Sequence, residues 1–293
     1  MKLTALIPVY NDDYTLSLCL ASIADHFDEV IVLDDASTDE TPDVAAAFAR
    51  RYKHVRFMRH EGQQLGWINA RNRLLELTDS KLLFYLDSDD VLCEYNANAL
   101  RRIAECGRSA VWLQLCEMWG DLNHTTQRLK HYDPCHVFVD RRKCPTMHWE
   151  GGTCSRLPEA RSGLRSPELL FFHIKGVKPD RRLVERSLIR AWMRAGRQGH
   201  IPIGDMTEDE IHRRAVKMLL TSRQDKPRRS YPDNPNAPRR PAVIEAAVAG
   251  GQRFQMLYDD DGKIVDREDR GWNAASLAKQ PETEGAAAPD STH

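Results

Sequence analysis

Four apolar residues, Leu83 to Leu86, lead directly into Asp87-Ser88-Asp89-Asp90. This pattern predicts a buried strand whose carboxylates emerge together at its C-terminal end, where open α/β sheets bind their ligands. Clustered carboxylates repel one another, but a divalent cation among them removes the repulsion and can also bind the phosphates of a nucleotide. The alternative is a solvated acidic turn in which Asp90 caps the following helix.

Two earlier apolar runs end in acids in the same way. Residues 3–10 lead into Asn11-Asp12-Asp13, and residues 30–33 lead into Asp34-Asp35. Helical patterns and one further short strand, at 56–58, separate the three runs, and the predicted helices are residues 14–26, residues 42–52 with Thr41 as N-cap, and residues 66–77. This alternation predicts an α/β fold with a mostly parallel, Rossmann-like sheet, so that the acidic strand ends meet at one edge.

Four motifs in this region have the order and spacing of a known family. They are Ile7-Pro8-Val9-Tyr10-Asn11-Asp12, then residues 32–39 (VLDDASTD), then Gly66 with Ala70-Arg71-Asn72, then Asp87-Ser88-Asp89-Asp90. Residues 1–110 thereby resemble the family 2 glycosyltransferases, which have the A-type nucleotide-sugar fold. The resemblance implies an inverting transfer of a sugar from a nucleotide-sugar, most often a UDP-sugar, to a hydroxyl acceptor, with Mn²⁺ or Mg²⁺ as cofactor.

The resemblance also implies roles for individual residues at the donor site. Pro8, Tyr10 and Asp12 correspond to positions beside the nucleobase, and Asp35 corresponds to the acid that binds the base or the ribose. Arg71 corresponds to a cation near the base and the phosphates, although a surface arginine on a helix is the alternative.

The metal ligands are expected to come from two segments. Asp87 and Ser88 correspond to residues that face the ribose or the metal, and Asp89 is the candidate for the direct ligand. His173, in the apolar run 169–174, is the candidate for a further protein ligand, although a histidine in such a run is often a packed core residue. A bound ion would offset the charge that develops on the departing nucleotide.

An inverting transfer also needs a general base for the acceptor hydroxyl. Many relatives place a His-Glu pair after an aromatic residue and a glycine, whereas residues 147–152 read MHWEGG and lack that pair. The candidates for the base are therefore Glu150, Glu159 and His148. Trp112, Trp119 and Trp149 belong to the same predicted acceptor side, and Trp149 is the candidate for stacking on the acceptor.

The composition is typical of an enzyme with one large core. The chain has 293 residues, of which 41% are hydrophobic and 29% charged. No apolar run is long enough to span a membrane and no signal peptide is recognisable, so we expect a cytoplasmic location. Seven cysteines without a CxxC pair predict reduced thiols, and the alternative of a zinc site would draw on His131, Cys135, His136, Cys144, His148 and Cys154.

The net charge of −1 hides a strong asymmetry along the chain. Residues 1–140 carry 14 Lys+Arg against 22 Asp+Glu, whereas residues 141–240 carry 23 against 11. The basic part contains two helical patterns, residues 180–196 and residues 207–220, the second with a Thr207–Glu210 capping box. Its positive charge has three interpretations: it complements the acidic half, it lies on a membrane surface near lipid-linked acceptors, or it contacts the phosphates of a nucleic acid.

These patterns predict four regions. Residues 1–110 form a nucleotide-sugar-binding α/β half, and residues 111–223 form an acceptor-side half with basic helices. Residues 224–278 contain a proline-rich linker and a small hairpin at 254–266, and residues 279–293 form a disordered tail.

The function expected from the sequence is a metal-dependent inverting glycosyltransferase acting on a glycan or a cell-envelope precursor. The first alternative is transfer to a hydroxylated base in DNA, because of the basic middle region. The second is a non-catalytic relative that binds a nucleotide-sugar or a carbohydrate, because the general base is unassigned. A nucleotidyltransferase is disfavoured, since no glycine-rich loop follows the first strand.

Overall fold

A computed structural model describes most of the N-terminal 177 residues and separate parts of the remainder. The described residues are 1–119, 122–125, 131–150, 164–177, 182–185, 187–188, 206–207, 210–211, 213–215, 217, 229–230, 237–250, 254–258 and 264–269.

Twelve strands and five helices are described from end to end. The strands are β1 Leu3–Val9, β2 Glu29–Asp35, β3 Val55–His60, β4 Leu82–Tyr85, β5 Asp90–Leu92, β6 Ala110–Trp119, β7 His124–Thr125, β8 His131–Asp140, β9 Leu164–Gly176, β10 Arg229–Ser230, β11 Phe254–Tyr258 and β12 Ile264–Asp269. The helices are α1 Asp13–Ile23, α2 Thr41–Arg51, α3 Trp67–Glu76, α4 Asn98–Glu105 and α5 Ala242–Ala249, and a 3₁₀ turn spans Glu94–Asn96.

Strands β1 to β10 form one sheet. Its main path runs β10-β7-β6-β8-β4-β1-β2-β3, while β9 pairs with both β5 and β6. The pairs β4–β1, β1–β2 and β2–β3 are parallel, whereas β8 pairs antiparallel with both β4 and β6. The N-terminal half is therefore the predicted parallel α/β sheet, and strands from residues 110–176 extend it with mixed direction.

The strands are apolar because helices and loops cover both faces of this parallel half. Along β1, Leu3, Ala5 and Ile7 pack on one side with α1, α2 and α4, while Leu6 packs on the other side with α3. The same alternation recurs in β2. A strand buried on both faces reads as a continuous apolar run, which is the pattern from which the sequence predicted these strands.

One local prediction and one alternative are corrected by the structure. Helix α2 begins at Thr41 rather than after it, and the Thr41 hydroxyl accepts a hydrogen bond from the backbone N–H of Asp12 at 2.7 Å. Asp90 does not cap a helix in a solvated turn, because it begins β5 and is fully buried.

The C-terminal part retains several predicted features. Residues 182–185 and 187–188 are helical, and Thr207 and Glu210 form the predicted capping box, with the Thr207 N–H 2.9 Å from Oε2 of Glu210. Strands β11 and β12 form the predicted antiparallel hairpin. The predicted tail at 279–293 lies outside the described residues. Among the helices described, none is long and apolar enough to cross a membrane.

Candidate functional site

The loops that follow β1 and β2 are joined by hydrogen bonds at the C-terminal edge of the sheet. The backbone N–H of Asn11 donates to Oγ of Ser37, and the N–H of Thr38 donates to Oδ1 of Asn11, both at 2.8 Å. Asn11 has a φ of 48° and Ala36 a φ of 61°, so both adopt the left-handed region that L-residues seldom occupy. These contacts fix the direction in which the chain leaves both strands.

Asp12 connects the end of β1 to the end of β4. Its Oδ2 accepts a short hydrogen bond from the Ser88 hydroxyl, and its Oδ1 accepts one from the Thr15 hydroxyl at 2.7 Å. Only 3% of Asp12 is exposed. Two of the acidic strand ends therefore meet, as the sequence predicted.

Asp35 binds the loop between β3 and α3. Its two carboxylate oxygens accept hydrogen bonds from the backbone N–H groups of Leu65, at 2.7 Å, and Gly66, at 2.9 Å. Burial raises the pKa of Asp35, and these two amides act in the opposite direction. The Asp35 carboxylate thus holds the loop that leads into α3. Asp35 is also the residue that the sequence assigned to the base or the ribose.

Three acids and two histidines meet at the end of β4, and we call Asp87, Asp89, Asp90, His136 and His173 the acid–histidine cluster. Strand β5 pairs with β9 so that Asp90 lies opposite His173. Nδ1 of His173 is 2.7 Å from Oδ1 of Asp90 and 3.4 Å from Oδ1 of Asp89, and Nε2 of His136 is 2.8 Å from Oδ2 of Asp90. The backbone N–H of Asp87 also donates to Oδ2 of Asp90, at 2.7 Å.

The electrostatics of the cluster favour an ionised Asp90. Burial acts to raise its pKa, but the charges and hydrogen bonds of His136 and His173 outweigh burial and hold the pKa below its ordinary value. A buried carboxylate with one amide donor and two imidazole nitrogens within 2.8 Å of its oxygens has the partners that burial of a charge requires.

Two overlapping sets of side chains in the cluster can hold a metal ion. The first is Asp87, His136 and His173, the second is Asp89, Asp90 and His173, and the ligand atoms of each set lie within 4.8 Å of one another. Carboxylate oxygens suit Mg²⁺ and Mn²⁺, and imidazole nitrogens suit transition metals. The residues present therefore fit a divalent cation, and the mixed oxygen and nitrogen donors fit Mn²⁺ better than Mg²⁺.

Arg71 reaches the same edge from α3 and is almost fully buried. Its guanidinium forms a short ion pair with Asp87 and donates to the carbonyl of Cys135 at 2.8 Å. It also lies over the ring of Trp149, with Cζ 4.6 Å from the ring centroid. The alternative of a surface arginine is therefore wrong.

Comparison with known proteins gives the family of this region. Residues 4–143 match the family model described as glycosyl transferase family 2. The match includes all four motifs and every member of the acid–histidine cluster except His173. Residues 4–143 are a family 2 glycosyltransferase domain.

Curated relatives are similar in sequence to parts of this chain. The SPbeta prophage-derived glycosyltransferase SunS of Bacillus subtilis is 30% identical over 102 residues, which are 35% of this chain and 23% of SunS. The uncharacterized glycosyltransferase YibD of Escherichia coli is 34% identical over 140 residues, which are 44% of this chain and 40% of YibD. The chain thus spans less than half the length of these relatives.

Solved structures of glycosyltransferases align with larger parts of the chain. S. aureus TarS in complex with UDP-GlcNAc aligns with a TM-score of 0.46 at 14% identity, covering 75% of this chain and 72% of TarS. The mannosyltransferase PcManGT from Pyrobaculum calidifontis, in complex with GDP-Man and Mn²⁺, aligns with a TM-score of 0.47 at 17% identity, covering 86% of this chain and 75% of PcManGT. The expected α/β fold class is confirmed by the strand order and the parallel pairing of the sheet itself.

The structure brings most of the predicted donor and metal residues to one edge of the family 2 domain. Asp12 and Ser88 contact each other, Arg71 contacts Asp87, and Asp89 lies beside His173. Pro8 lies in β1, and Tyr10 directly follows that strand. Their assigned roles in binding a nucleotide-sugar and a metal remain predictions.

The candidates for the general base lie apart from these contacts. The side chains of His148 and Glu150 are 63% and 46% exposed, with Nε2 of His148 3.9 Å from Oε2 of Glu150. Glu159 lies outside the described residues. Trp149 was predicted to stack on the acceptor, but its ring is 2% exposed and packs edge-on against Tyr85, so this prediction is wrong.

Sequence reasoning did not assign His136 to the metal site. His136 was considered only for a zinc site with cysteines, and neither metal-binding set found among the described residues contains a cysteine. The available signal was its place directly before the apolar run 137–139, which resembles the context of His173. Glu117 was also missed: it is buried and lies opposite His173 where β6 pairs with β9.

Proposed function

We propose that this protein is a metal-dependent, inverting glycosyltransferase that moves a sugar from a nucleotide-sugar donor, most often a UDP-sugar in this family, to a hydroxyl acceptor. The observation that carries the proposal is the acid–histidine cluster at the end of β4, where the family 2 domain has its Asp87-Ser88-Asp89-Asp90 motif. An edge at the C-terminal ends of parallel strands is the usual ligand site of such sheets.

The differences in exposure within the cluster support a division of roles. The Asp87 side chain is 24% exposed, whereas those of Asp89, Asp90 and His136 are at most 1% exposed. A diphosphate can therefore approach the cluster most directly at Asp87. We assign Asp87, His136 and His173 as the ligands of a Mn²⁺ or Mg²⁺ ion that the diphosphate also contacts, with Asp89 adjacent.

Asp90 is proposed as a positioning residue. It accepts from Nδ1 of His173, which leaves Nε2 of that ring to face an ion. Carboxylates that orient metal-bound histidines in this way also raise the basicity of the imidazole. When bound, the divalent ion supplies positive charge to the departing nucleoside diphosphate.

At the nucleoside end, Pro8, Tyr10, Asp12, Asp35 and Ser88 are proposed to line the donor site. Arg71 is held by Asp87, Trp149 and the Cys135 carbonyl, so it presents a fixed positive charge beside the proposed phosphate position. A charge that is already oriented needs little reorganisation when negative charge develops on the donor.

The transfer itself requires a base that removes the proton of the acceptor hydroxyl. The acceptor oxygen forms a bond to the anomeric carbon, the bond from that carbon to the diphosphate oxygen breaks, and the electron pair leaves with the nucleotide. Glu150, Glu159 and His148 are the proposed candidates, and the exposure of Glu150 is compatible with contact to an acceptor.

The acceptor class we propose is a glycan or a cell-envelope precursor. A curated relative that is 29% identical over 97 residues is a poly(ribitol-phosphate) beta-glucosyltransferase of Bacillus spizizenii, which supports a polymer acceptor.

The test is a panel of UDP-, GDP-, CMP- and dTDP-sugars, each with and without Mn²⁺, read by thermal shift and by release of the nucleotide. We expect one donor to stabilise the protein and to be hydrolysed slowly only with the metal. Asp87→Asn and Asp89→Asn are expected to lower that turnover by about 100-fold or more, because each removes a charge beside the departing nucleotide.

Asp79→Asn is the matched control, since Asp79 is an exposed acid on the loop before β4 and is expected to leave turnover unchanged. Donor binding without turnover in the wild type would instead favour the non-catalytic relative. A folded protein that responds to no donor would contradict the proposal.

A further inference from the structure

A second polar cluster lies beside the ends of β1 and β2, away from the acid–histidine cluster. It consists of Asp13, Asp39, Arg182 and Glu185, and we call it the Arg182 cluster. Nη2 of Arg182 is 3.0 Å from Oδ2 of Asp39, and Nη1 is 2.9 Å from Oε2 of Glu185. Asp39 follows β2, whereas Arg182 belongs to the basic region, so the ion pair joins two distant parts of the chain.

The Arg182 cluster places one guanidinium among three carboxyl groups. The side chains of Asp39 and Glu185 are 5% and 11% exposed. Burial, together with the charge of the neighbouring Asp39, raises the pKa of Asp13 to about 6. Without Arg182, the remaining groups would be acids in mutual repulsion. The guanidinium is therefore the group that allows these acids to lie together.

Arg182 belongs to a segment with its own small apolar cluster. Val184 packs with Ile211 and Ala215, and Leu188 and Met206 pack against them. Among the described residues, this apolar cluster is separate from the three that line the main sheet. The ion pair of Arg182 with Asp39 thus fastens this segment to the loop between β2 and α2, while the pair with Glu185 holds the guanidinium within its own segment.

The loop that Arg182 fastens also holds the end of β1 at Tyr10, because Thr38, beside Asp39, donates its N–H to Oδ1 of Asn11 at 2.8 Å. Burial raises the pKa of the Tyr10 phenol, and the charge of Glu185 raises it further. Tyr10 is half-buried, at the place where the proposed function expects the nucleobase.

We propose that Arg182 is a positioning residue that fastens the helical segment 182–185 against the nucleoside end of the donor site, where the segment and Tyr10 together enclose the base of the nucleotide. The inference rests on the proposed function and adds the segment 182–185 to the residues that line its donor site. Nucleotide affinity then depends on Arg182, because an unfastened segment must be ordered again at every binding event. The chemical step does not depend on it, since Arg182 contacts none of the acid–histidine cluster in the described contacts.

The experiment compares Arg182→Gln, Arg182→Lys and a matched control, Arg214→Gln, with the wild-type full-length chain. Arg214 is an exposed arginine of the same basic region. Three quantities are measured: the hydrogen exchange of amides at 182–188, the Kd of UDP or GDP with Mn²⁺ by calorimetry, and KM and kcat for the donor identified by the panel.

For Arg182→Gln we expect faster exchange at 182–188, a Kd and a KM for the donor about 10-fold higher, and a kcat within about twofold of wild type. Arg182→Lys is expected to recover part of the affinity, because an ammonium can pair with Asp39 but cannot bind both carboxylates as a planar fork does. If Arg182→Gln does not fold, the test rests on Arg182→Lys, which must then bind the nucleotide more weakly than the wild type does. Arg214→Gln is expected to leave all three quantities unchanged.

Two results would overturn the inference while leaving the proposed function intact. One is unchanged exchange at 182–188 in both Arg182 variants, and the other is faster exchange with unchanged nucleotide affinity and KM. A wild-type protein that binds no nucleotide would overturn both, and this failure is recognised before any variant is compared.

Discussion

At the scale of single residues, Asp90 has the most partners in the candidate site. It is fully buried, yet its oxygens lie 2.7 Å from Nδ1 of His173 and 2.8 Å from Nε2 of His136, and one of them accepts from the backbone amide of Asp87. The energy of burying a carboxylate is offset only when its oxygens are hydrogen-bonded. Asp90 therefore determines where His136 and His173 present their rings, and it does so without needing to contact a substrate.

Asp13 shows a different consequence of burial at the residue scale. Burial and the neighbouring Asp39 raise its pKa from the ordinary value of 3.8 to about 6. Between these two values the folded protein binds a proton that the unfolded chain does not. The contribution of Asp13 to stability is therefore present at low pH and is lost as the pH rises through about 6.

Asp13→Asn tests this pH dependence directly. We expect the variant to have a higher free energy of unfolding than the wild type above pH 6, because the ionised carboxylate beside Asp39 is removed. The difference is expected to shrink as the pH falls from 6 to 4. The measurement is urea unfolding at several pH values between 4 and 8, with Asp25→Asn as control, since Asp25 is exposed two residues after α1. A difference between Asp13→Asn and wild type that does not vary with pH would contradict the assignment.

Individual residues also show which parts of the site could be predicted from sequence. Asp87, Asp89 and His173 were recognised because acids at a strand end, or a polar residue in an apolar run, contrast with their neighbours in the sequence. His136 joins them only because β8 pairs with β4 while β9 pairs with β5. Such register is decided by long-range packing, which a local pattern does not contain.

At the scale of secondary-structure elements, α3 and the segment after β8 form one packed unit. The amide of Asn72, on α3, donates to the Trp149 carbonyl at 3.0 Å, while its side-chain oxygen accepts from the Trp149 N–H at 2.7 Å. The Trp149 ring lies between Arg71 and Tyr85, with a centroid distance of 4.7 Å to the tyrosine ring. Trp149 was predicted to stack on the acceptor because glycines and acids surround it, but it is a core residue whose ring contacts Arg71.

We expect Trp149→Ala to lower the free energy of unfolding by about 3–5 kcal/mol, since a large buried aromatic side chain is replaced by a cavity. Part of the loss is the cation–π contact with Arg71, which contributes about 2 kcal/mol where water is excluded. Urea unfolding is the measurement, with Trp112→Ala as control. Trp112 is only partly buried, with the Arg165 guanidinium carbon 5.8 Å from its ring centroid, and its loss is expected to be smaller. Equal losses in the two variants would contradict the role given to Trp149.

The accuracy of the element predictions depended on how local their signals are. Proline at the second residue of α2 and glycine before α3 are local signals, and the predicted bounds of both helices lie within one residue of those observed. Gly66 has a φ of 77°, which few other residues adopt easily. Strand β5 has only three residues and is stabilised by its pairing with β9. That pairing is not visible in the local sequence, which therefore also allowed a solvated turn as the alternative.

At the scale of the whole molecule, the charge asymmetry favours internal compensation. Within the basic region, Arg182 pairs with Asp39 and Arg142 pairs with Asp140, both acids of the negatively charged half. Arg141 donates to the Thr78 carbonyl at 2.7 Å, and Arg240 pairs with Glu245. Of the three interpretations of the basic region, complementing the acidic half has the most support among the described residues.

This compensation leads to an expectation about DNA as an acceptor. A protein that binds duplex DNA through several phosphates loses affinity steeply with salt, with a slope of about 0.9 per phosphate in a plot of log K against log salt concentration. Because many described arginines already have protein partners, we expect weak DNA binding with a slope equivalent to at most about two phosphates. Fluorescence anisotropy with duplexes that do or do not contain hydroxymethylated bases, between about 50 and 200 mM salt, measures this slope.

A slope equivalent to six or more phosphates would reverse the conclusion, since about that number is typical of proteins that act on DNA. Arg213 and Arg214 would then be the first residues to replace, because both are exposed in the basic region. Their replacement by glutamine should reduce the slope by about one unit each if they contact phosphates. A shallow slope that these replacements leave unchanged would direct the search for the acceptor to glycans and cell-envelope precursors.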